Sequence, residues 1–213
     1  SWTEVNDLTT ARGYLAGAGT QTSAIAFGGG RPTVVANTEI YNGTNWTETA
    51  DLNTARNYLA GCGASSTSAL AFGGEGPPGE QNATETWNGT SWTEVNNLNT
   101  AREQASSAGI QTSALISGGS VSGGSQALTE SWNGTNWTEV ADLNVARRQN
   151  TGGAGLTNTS ALNFGGDDPQ TASTELWDGT SWTVGASLPT AADGNFGSGS
   201  KSSALSAGGR APN

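Results

Sequence analysis

The chain has no histidine and no methionine, a single cysteine, one lysine and few charged residues of either sign. Each of these absences excludes chemistry. Without histidine there is no Ser–His–Asp or Cys–His catalysis, no imidazole metal ligand and no histidine pH switch. The lone thiol, Cys62, can form neither an internal disulfide nor a multi-thiolate zinc site. One lysine and seven arginines against eighteen acidic residues give a formal charge of −10, which argues against nucleic acid as a partner. No run reaches about 18 apolar residues and no signal-peptide pattern opens the chain, so membrane insertion is not expected. With no methionine, Ser1 follows either a removed initiator or an upstream stretch of a longer chain. Hydrophobic residues make up only 33%, yet 32 glycines among 213 residues and a charged share of 12% predict a folded chain rather than a disordered one.

What is present is one unit written five times. SWTEVNDLTTAR (1–12) returns as NWTETADLNTAR (45–56), SWTEVNNLNTAR (91–102) and NWTEVADLNVAR (136–147), with a decayed copy, SWTVGASLPTAA, at 181–192. The marker tryptophans Trp2, Trp46, Trp92, Trp137 and Trp182 recur every 44 to 46 residues. A short apolar run closed by two glycines follows each copy: SAIAFGG (23–29), SALAFGG (68–74), SALISGG (113–119), SALNFGG (160–166) and SALSAGG (203–209). TEIYNG (38–43), TETWNG (84–89), TESWNG (129–134) and TELWDG (174–179) form a third marker with only four copies. Asn-Gly or Asp-Gly between aromatic residues predicts a hairpin turn with positive φ at both central residues. Each SALAFGG run, and a Gly/Ala strand before it such as YLAGCG (58–63), reads as β, and no stretch carries a helical apolar stripe. Four short strands per unit of about 45 residues predict a β-propeller.

A small-residue strand, a strand ending in Gly-Gly, a Tyr or Trp strand and then a Trp strand resemble the kelch repeat of galactose-oxidase-like propellers. The unit NGTSWTEV…LNTAR also resembles repeats in bacteriophage tail-associated and environmental viral proteins. The expected fold is therefore all-β: a single five-bladed β-propeller domain over 1–213, of kelch-like four-stranded blades. Its units run approximately 1–44, 45–90, 91–135, 136–180 and 181–213, the last incomplete. The galactose-oxidase likeness implies no copper chemistry, because that metal is held by histidine.

Residues copied into every unit are expected to build it. The glycine doublets turn the backbone where a Cβ would clash, and the tryptophans pack between neighbouring blades. Ala16, Ala60, Ala108, Gly153 and Gly197 suit inner strands crowding a narrow axis. Cys62 aligns with Ala18, Ala108 and Ala154 and reads as a buried small apolar residue. Asp178 reads as a turn residue. Glu4, Glu48, Glu94 and Glu139 each precede Arg12, Arg56, Arg102 or Arg147 by eight residues, and both members are lost together in the fifth copy as Val184 and Ala192. Either these pairs form ion bridges, or the arginines pair with Glu39, Glu85, Glu130 and Glu175 of the Tyr/Trp strand, which the fifth unit also lacks.

The chain starts on a fourth strand and ends after a second one, so ring closure would unite both in a blade without its third strand. The unpaired edge is open to three readings: a fragment, a strand donated by a neighbouring subunit, or residues 1–5 sliding inward. A closed five-blade ring with an irregular last blade is the expected form.

Variation among copies concentrates in the strand 2–3 loops (30–37, 75–83, 120–128, 167–173) and in the residues leading into strand 1, which alternating strands place on one face. Function sits on variable loops held by a rigid scaffold. From the loops the candidate binding residues are Arg31, Glu75, Glu80, Asp167 and Asp168. From the lead-ins they are Tyr14, Tyr58, Gln104, Arg148, Gln149 and Asn195. The acidic loops lack the spacing of a calcium loop, and there is no phosphate loop, nucleotide fingerprint or nucleophile elbow, so no cofactor, metal or catalytic residue is expected. The expected function is non-enzymatic: a structural or recognition module of a virion or extracellular assembly. It would meet a protein partner, assemble through the open blade edge, or bind a surface glycan as a lectin.

Overall fold

The computed structural model describes residues 2–30, 32–149, 153–168 and 170–211, and the regular elements among them are all β-strands. In the first sheet β1 (Ala16–Thr20), β2 (Ser23–Phe27), β3 (Thr38–Tyr41) and β4 (Trp46–Glu48) pair in that order, each antiparallel to the next. The second repeats it with β5 (Ala60–Ser65) and β6 (Ser68–Phe72), then a small loop hairpin of β7 (Glu75–Gly76) and β8 (Gly79–Glu80), then β9 (Thr84–Trp87) and β10 (Trp92–Val95). The third holds β11 (Ser106–Ile110) and β12 (Ser113–Ser117), the loop hairpin β13 (Ser120–Val121) and β14 (Gly124–Ser125), and β15 (Thr129–Trp132) with β16 (Trp137–Glu139). The fourth holds β17 (Gly153–Thr157), β18 (Ser160–Phe164), β19 (Thr174–Trp177) and β20 (Trp182–Val184). A two-stranded hairpin, β21 (Asp193–Ser200) with β22 (Ser203–Arg210), follows.

The first strands β1, β5, β11, β17 and β21 pack in sequence, each on the one before, and together they line a cavity of about 390 Å³. Close approach there explains the small residues. A Cβ on Gly153 would lie 2.3 Å from the Ser107 carbonyl oxygen, and one on Gly197 would lie 2.3 Å from that of Gly153. Between the sheets, bulk comes from the second strands, where Phe27, Leu70, Phe72 and Ile116 are fully shielded. The result is a propeller-like arrangement of repeated four-stranded antiparallel sheets.

Three details depart from the sequence expectation. The strand expected at 58–63 starts at Ala60, because Tyr58 has φ of +50° and cannot continue a ladder. The Asn-Gly hairpins are four-residue loops rather than two-residue turns: Tyr41 faces Trp46, and Asn42 Oδ1 accepts the N–H groups of Thr44 and Asn45 at 2.9 Å each. Of that Asn-Gly pair, only Gly43 takes positive φ, since the asparagine side chain does the turning.

The third departure is larger. Residues 2–12 form no strand and Trp2 is 85% exposed, so the expected pairing of residues 1–5 with the last sheet is not formed among the described residues. A fourth strand lies two strand spacings, about 10 Å, from the second. Without a third strand between them, residues 2–5 meet no ladder. Instead Asn6 Nδ2 donates to Asn45 Oδ1 at 2.7 Å, and the Thr9 N–H donates to Glu39 Oε2 at 2.7 Å, holding the segment on the first sheet.

Candidate functional site

The site is a loop face, and its rigidity comes from the repeated residues beneath it. Of the two possible arginine partners, the glutamates of the third strands are the ones used: Arg12 with Glu39, Arg56 with Glu85 at 2.8 Å, Arg102 with Glu130 at 3.1 Å and Arg147 with Glu175 at 2.7 Å. All eight side chains are shielded from solvent. Pairing with Glu48, Glu94 and Glu139 is not formed, since those carboxylates sit exposed on the outermost strands. Burial pushes the Glu39 carboxyl upward, but hydrogen bonds from Arg12 and Thr9 outweigh it and hold the group below its ordinary range.

Arg56, Arg102 and Arg147 also each join two sheets. The Arg56 carbonyl accepts from Gly29 N of the first sheet at 2.7 Å, while its guanidinium donates to Gly73 and Ala83 carbonyls of the second. Ala192 keeps the backbone half of this joint, accepting from Gly166 N at 2.9 Å. A guanidinium there would have no third-strand carboxylate to meet, which accounts for the paired loss in the fifth copy. The doublet glycine makes the approach possible, since a Cβ on Gly28 would stand 2.6 Å from the Arg56 oxygen.

Above this frame lies the variable face. Antiparallel bridges join Gly13 to Gly30, Asn57 to Glu75, Glu103 to Ser120 and Arg148 to Asp167, so the strand 1 lead-ins and the strand 2–3 loops do share one face. Tyr14, Tyr58, Gln104 and Gln149 occupy the same left-handed position in successive units, with φ between +50° and +57°, and Gly194 takes the fifth place at +62°. Tyr58 N donates to Tyr14 O, Gln104 N to Tyr58 O, and Gly194 N to Gln149 O, forming a backbone collar above the small-residue strands. The Tyr14 and Tyr58 rings stack with centroids 4.1 Å apart, Tyr14 being 40% exposed.

The remaining candidates are partly engaged between loops. Glu80 Oε1 accepts from Ser122 N at 2.5 Å, Asp168 Oδ2 accepts from Ser125 Oγ at 3.2 Å, and Arg148 donates to the Gly123 carbonyl. Glu75 is exposed beside Glu103, whose carboxyl is pushed up to about 7 by burial first and then by repulsion from Glu75 and Glu80. Asp167 is half-buried. Asn195 lies inside, fully shielded, with Nδ2 on Ser206 Oγ at 2.9 Å, away from the loop surface. Arg31 lies outside the described residues.

Three further side chains carry structure that the repeat pattern does not mark. Gln111, Asn158 and Lys201 stand at one position of the strand 1–2 turns, on the opposite face. Each reaches back to the preceding sheet, donating to the carbonyls of Trp87, Trp132 and Trp177. Their residue types differ, so only the fold brings them into register. No group of three or more acidic or cysteine side chains is placed to hold a metal among the described residues, and no helix long and apolar enough to cross a membrane is found among them.

No family model and no curated protein matches the chain. A solved structure described as that of YjhT is similar over 99% of this chain and 81% of its own length, with a TM-score of 0.82 and 13% sequence identity. At that identity the likeness bears on the fold alone, and with the repeated antiparallel sheets it makes this chain a propeller-like repeat protein.

Proposed function

We propose that the chain is a non-enzymatic, kelch-like propeller of five units that serves as a structural or recognition module of a virion or extracellular assembly. It meets its partner through the face carrying the collar and the strand 2–3 loops. One observation carries this reading: the residues that hold the sheets together are copied from unit to unit, while divergence gathers on a single face of fixed backbone. The likeness of the repeat to those of bacteriophage tail-associated proteins supports the virion setting, and the missing histidines support a role without catalysis. A panel of glycoside, ester and phosphate-ester substrates is expected to show no turnover. Turnover removed by Glu75→Gln or Glu80→Gln would overturn the reading.

The Tyr14–Tyr58 stack favours a second reading, a lectin. Exposed aromatic faces are where the apolar faces of sugar rings pack, and the neighbouring Gln104 and Gln149 supply adaptable polar groups. Binding on a glycan array, lost in Tyr14→Ala or Tyr58→Ala, selects this reading; a flat array removes it.

A further inference from the structure

The turns between third and fourth strands read Asn-Gly at 42–43, 88–89 and 133–134, and Asp-Gly at 178–179. All four share one backbone. The flanking aromatics pair as Tyr41–Trp46, Trp87–Trp92, Trp132–Trp137 and Trp177–Trp182, and the glycines take φ between +93° and +100°. In each turn Oδ1 of the first residue accepts the N–H groups two and three positions on. The distances are 2.9 and 2.9 Å at Asn42, 2.9 and 3.0 Å at Asn88, 2.9 and 2.9 Å at Asn133, and 2.8 and 2.9 Å at Asp178.

The fold uses only the oxygen of these three asparagines. All three are exposed, and among the described residues neither their Nδ2 atoms nor the N–H groups of Gly43, Gly89 and Gly134 make a hydrogen bond. Other asparagines differ: Asn53, Asn99 and Asn144 donate from Nδ2 to the carboxylates of Glu85, Glu130 and Glu175 at 2.8 Å each. An aspartate there would set one carboxylate against another, whereas in the turns it keeps every bond. Asp178 is the example. Hydrogen bonds from the Thr180 hydroxyl first, then from the N–H groups of Ser181 and Thr180, push its carboxyl down to about 2, so the turn favours the charged form.

We propose that Asn42, Asn88 and Asn133 are modification sites at which the folded chain deamidates to the residue that the fourth turn already carries. The glycine nitrogen gives up its proton and bonds to Cγ of the asparagine, while Nδ2 takes a proton and leaves as ammonia, closing a cyclic imide. Water then opens the ring, at Cγ to give aspartate or at the backbone carbonyl carbon to give isoaspartate. In sum one water is consumed, one ammonia is released and one carboxyl group appears. Glycine allows the step because no side chain shields its nitrogen, and the reacting groups are held close by the chain itself. Three conversions take the formal charge from −10 to −13. The turns lie beside the strand 1–2 turns, Gly43 against Thr22 and Gly134 against Thr112, on the face opposite the collar. The proposal therefore stands or falls separately from the recognition role.

Peptide mapping by mass spectrometry tests it, on the folded 213-residue chain held at mildly alkaline pH beside a peptide of residues 40–47. At Asn42, Asn88 and Asn133 the amide is expected to give way to the acid, with isoaspartate alongside. Asn45 and Asn136, exposed but followed by tryptophan, are expected to stay unchanged. Three intact turn asparagines in the folded chain, once the peptide has fully converted, overturn the proposal. A variant combining Asn42→Asp, Asn88→Asp and Asn133→Asp tests the product. It is expected to fold and to melt no lower than wild type at neutral pH, whereas Asn144→Asp melts lower. A combined variant that fails to fold, or melts as low as Asn144→Asp, overturns the claim that the turns accept aspartate.

Discussion

Arg147 Nη2 stands 2.7 Å from Glu175 Oε1, with both side chains fully buried. The backbone of the same arginine bonds Gly119 and Gln126 of the third sheet, and its guanidinium bonds Gly165 and Ser173 of the fourth, so one residue ties two sheets. Removing one partner strands the other charge in a dry site. Glu175→Gln or Arg147→Leu is expected to cost roughly 3–5 kcal/mol, read as a drop in the urea midpoint. Glu139→Gln, on an exposed outer strand, should stay within about 0.5 kcal/mol. Equal effects at Glu175 and Glu139 would contradict the pairing.

The junction tryptophans make a second contrast. Trp137 is buried against Phe72 and donates to Thr84. Trp137→Ala removes the ring and leaves a cavity, a loss of about 3–5 kcal/mol. Trp137→Phe keeps most of the packing and forfeits the hydrogen bond, about 1 kcal/mol. Thermal melts of dilute single chains should rank Trp137→Ala well below Trp137→Phe, with Trp2→Ala at the wild-type value.

Much of this architecture is legible in the sequence because repetition averages out local ambiguity. Four near-identical copies of a strand such as SALAF mark an element that one copy of five residues could not. The paired loss at Val184 and Ala192 shows that the arginine has a carboxylate partner, but two glutamates fit that pattern. Only the sheet order, which buries Glu85 on the third strand and leaves Glu94 exposed on the outermost one, chooses between them. The loop face was readable from divergence, whereas the left-handed collar was not. Tyr14, Tyr58, Gln104 and Gln149 share a backbone conformation without sharing a residue type, and none is the glycine that advertises positive φ. Asn195 misled for a related reason: it sits next to the variable lead-in yet belongs to β21, where it turns inward.

Cys62 gives a chemical prediction. It is buried on β5, and desolvation pushes its thiol up to about 12, so almost no thiolate exists near neutral pH. A thiol reagent should leave the folded chain unmodified and react fully once denaturant is added. The rate should follow the opening of the second sheet, so Arg56→Leu, which loosens that sheet through Glu85, is expected to accelerate labelling at low denaturant. Prompt reaction in native buffer would mean that the inner strand is open.

The carboxyl of Glu103 should give the loop face a pH dependence of its own. Burial and the nearby Glu75 and Glu80 raise it from the ordinary 4.5 to about 7, with Arg148 opposing. The folded chain therefore holds a proton on this group that the unfolded chain releases between those two values. Its contribution to stability is complete below pH 4.5, declines as pH rises toward 7 and is flat above. Because the side chain is half-open to water, screening reduces the effect to roughly 1 kcal/mol. Glu103→Gln keeps a neutral polar group at every pH, so at pH 8 it should be more stable than wild type by about that amount. The two should converge below pH 4.5. Urea midpoints across this range check it, and a gap that widens on acidification would place the ionised carboxylate, not the neutral acid, as the favoured form in the fold.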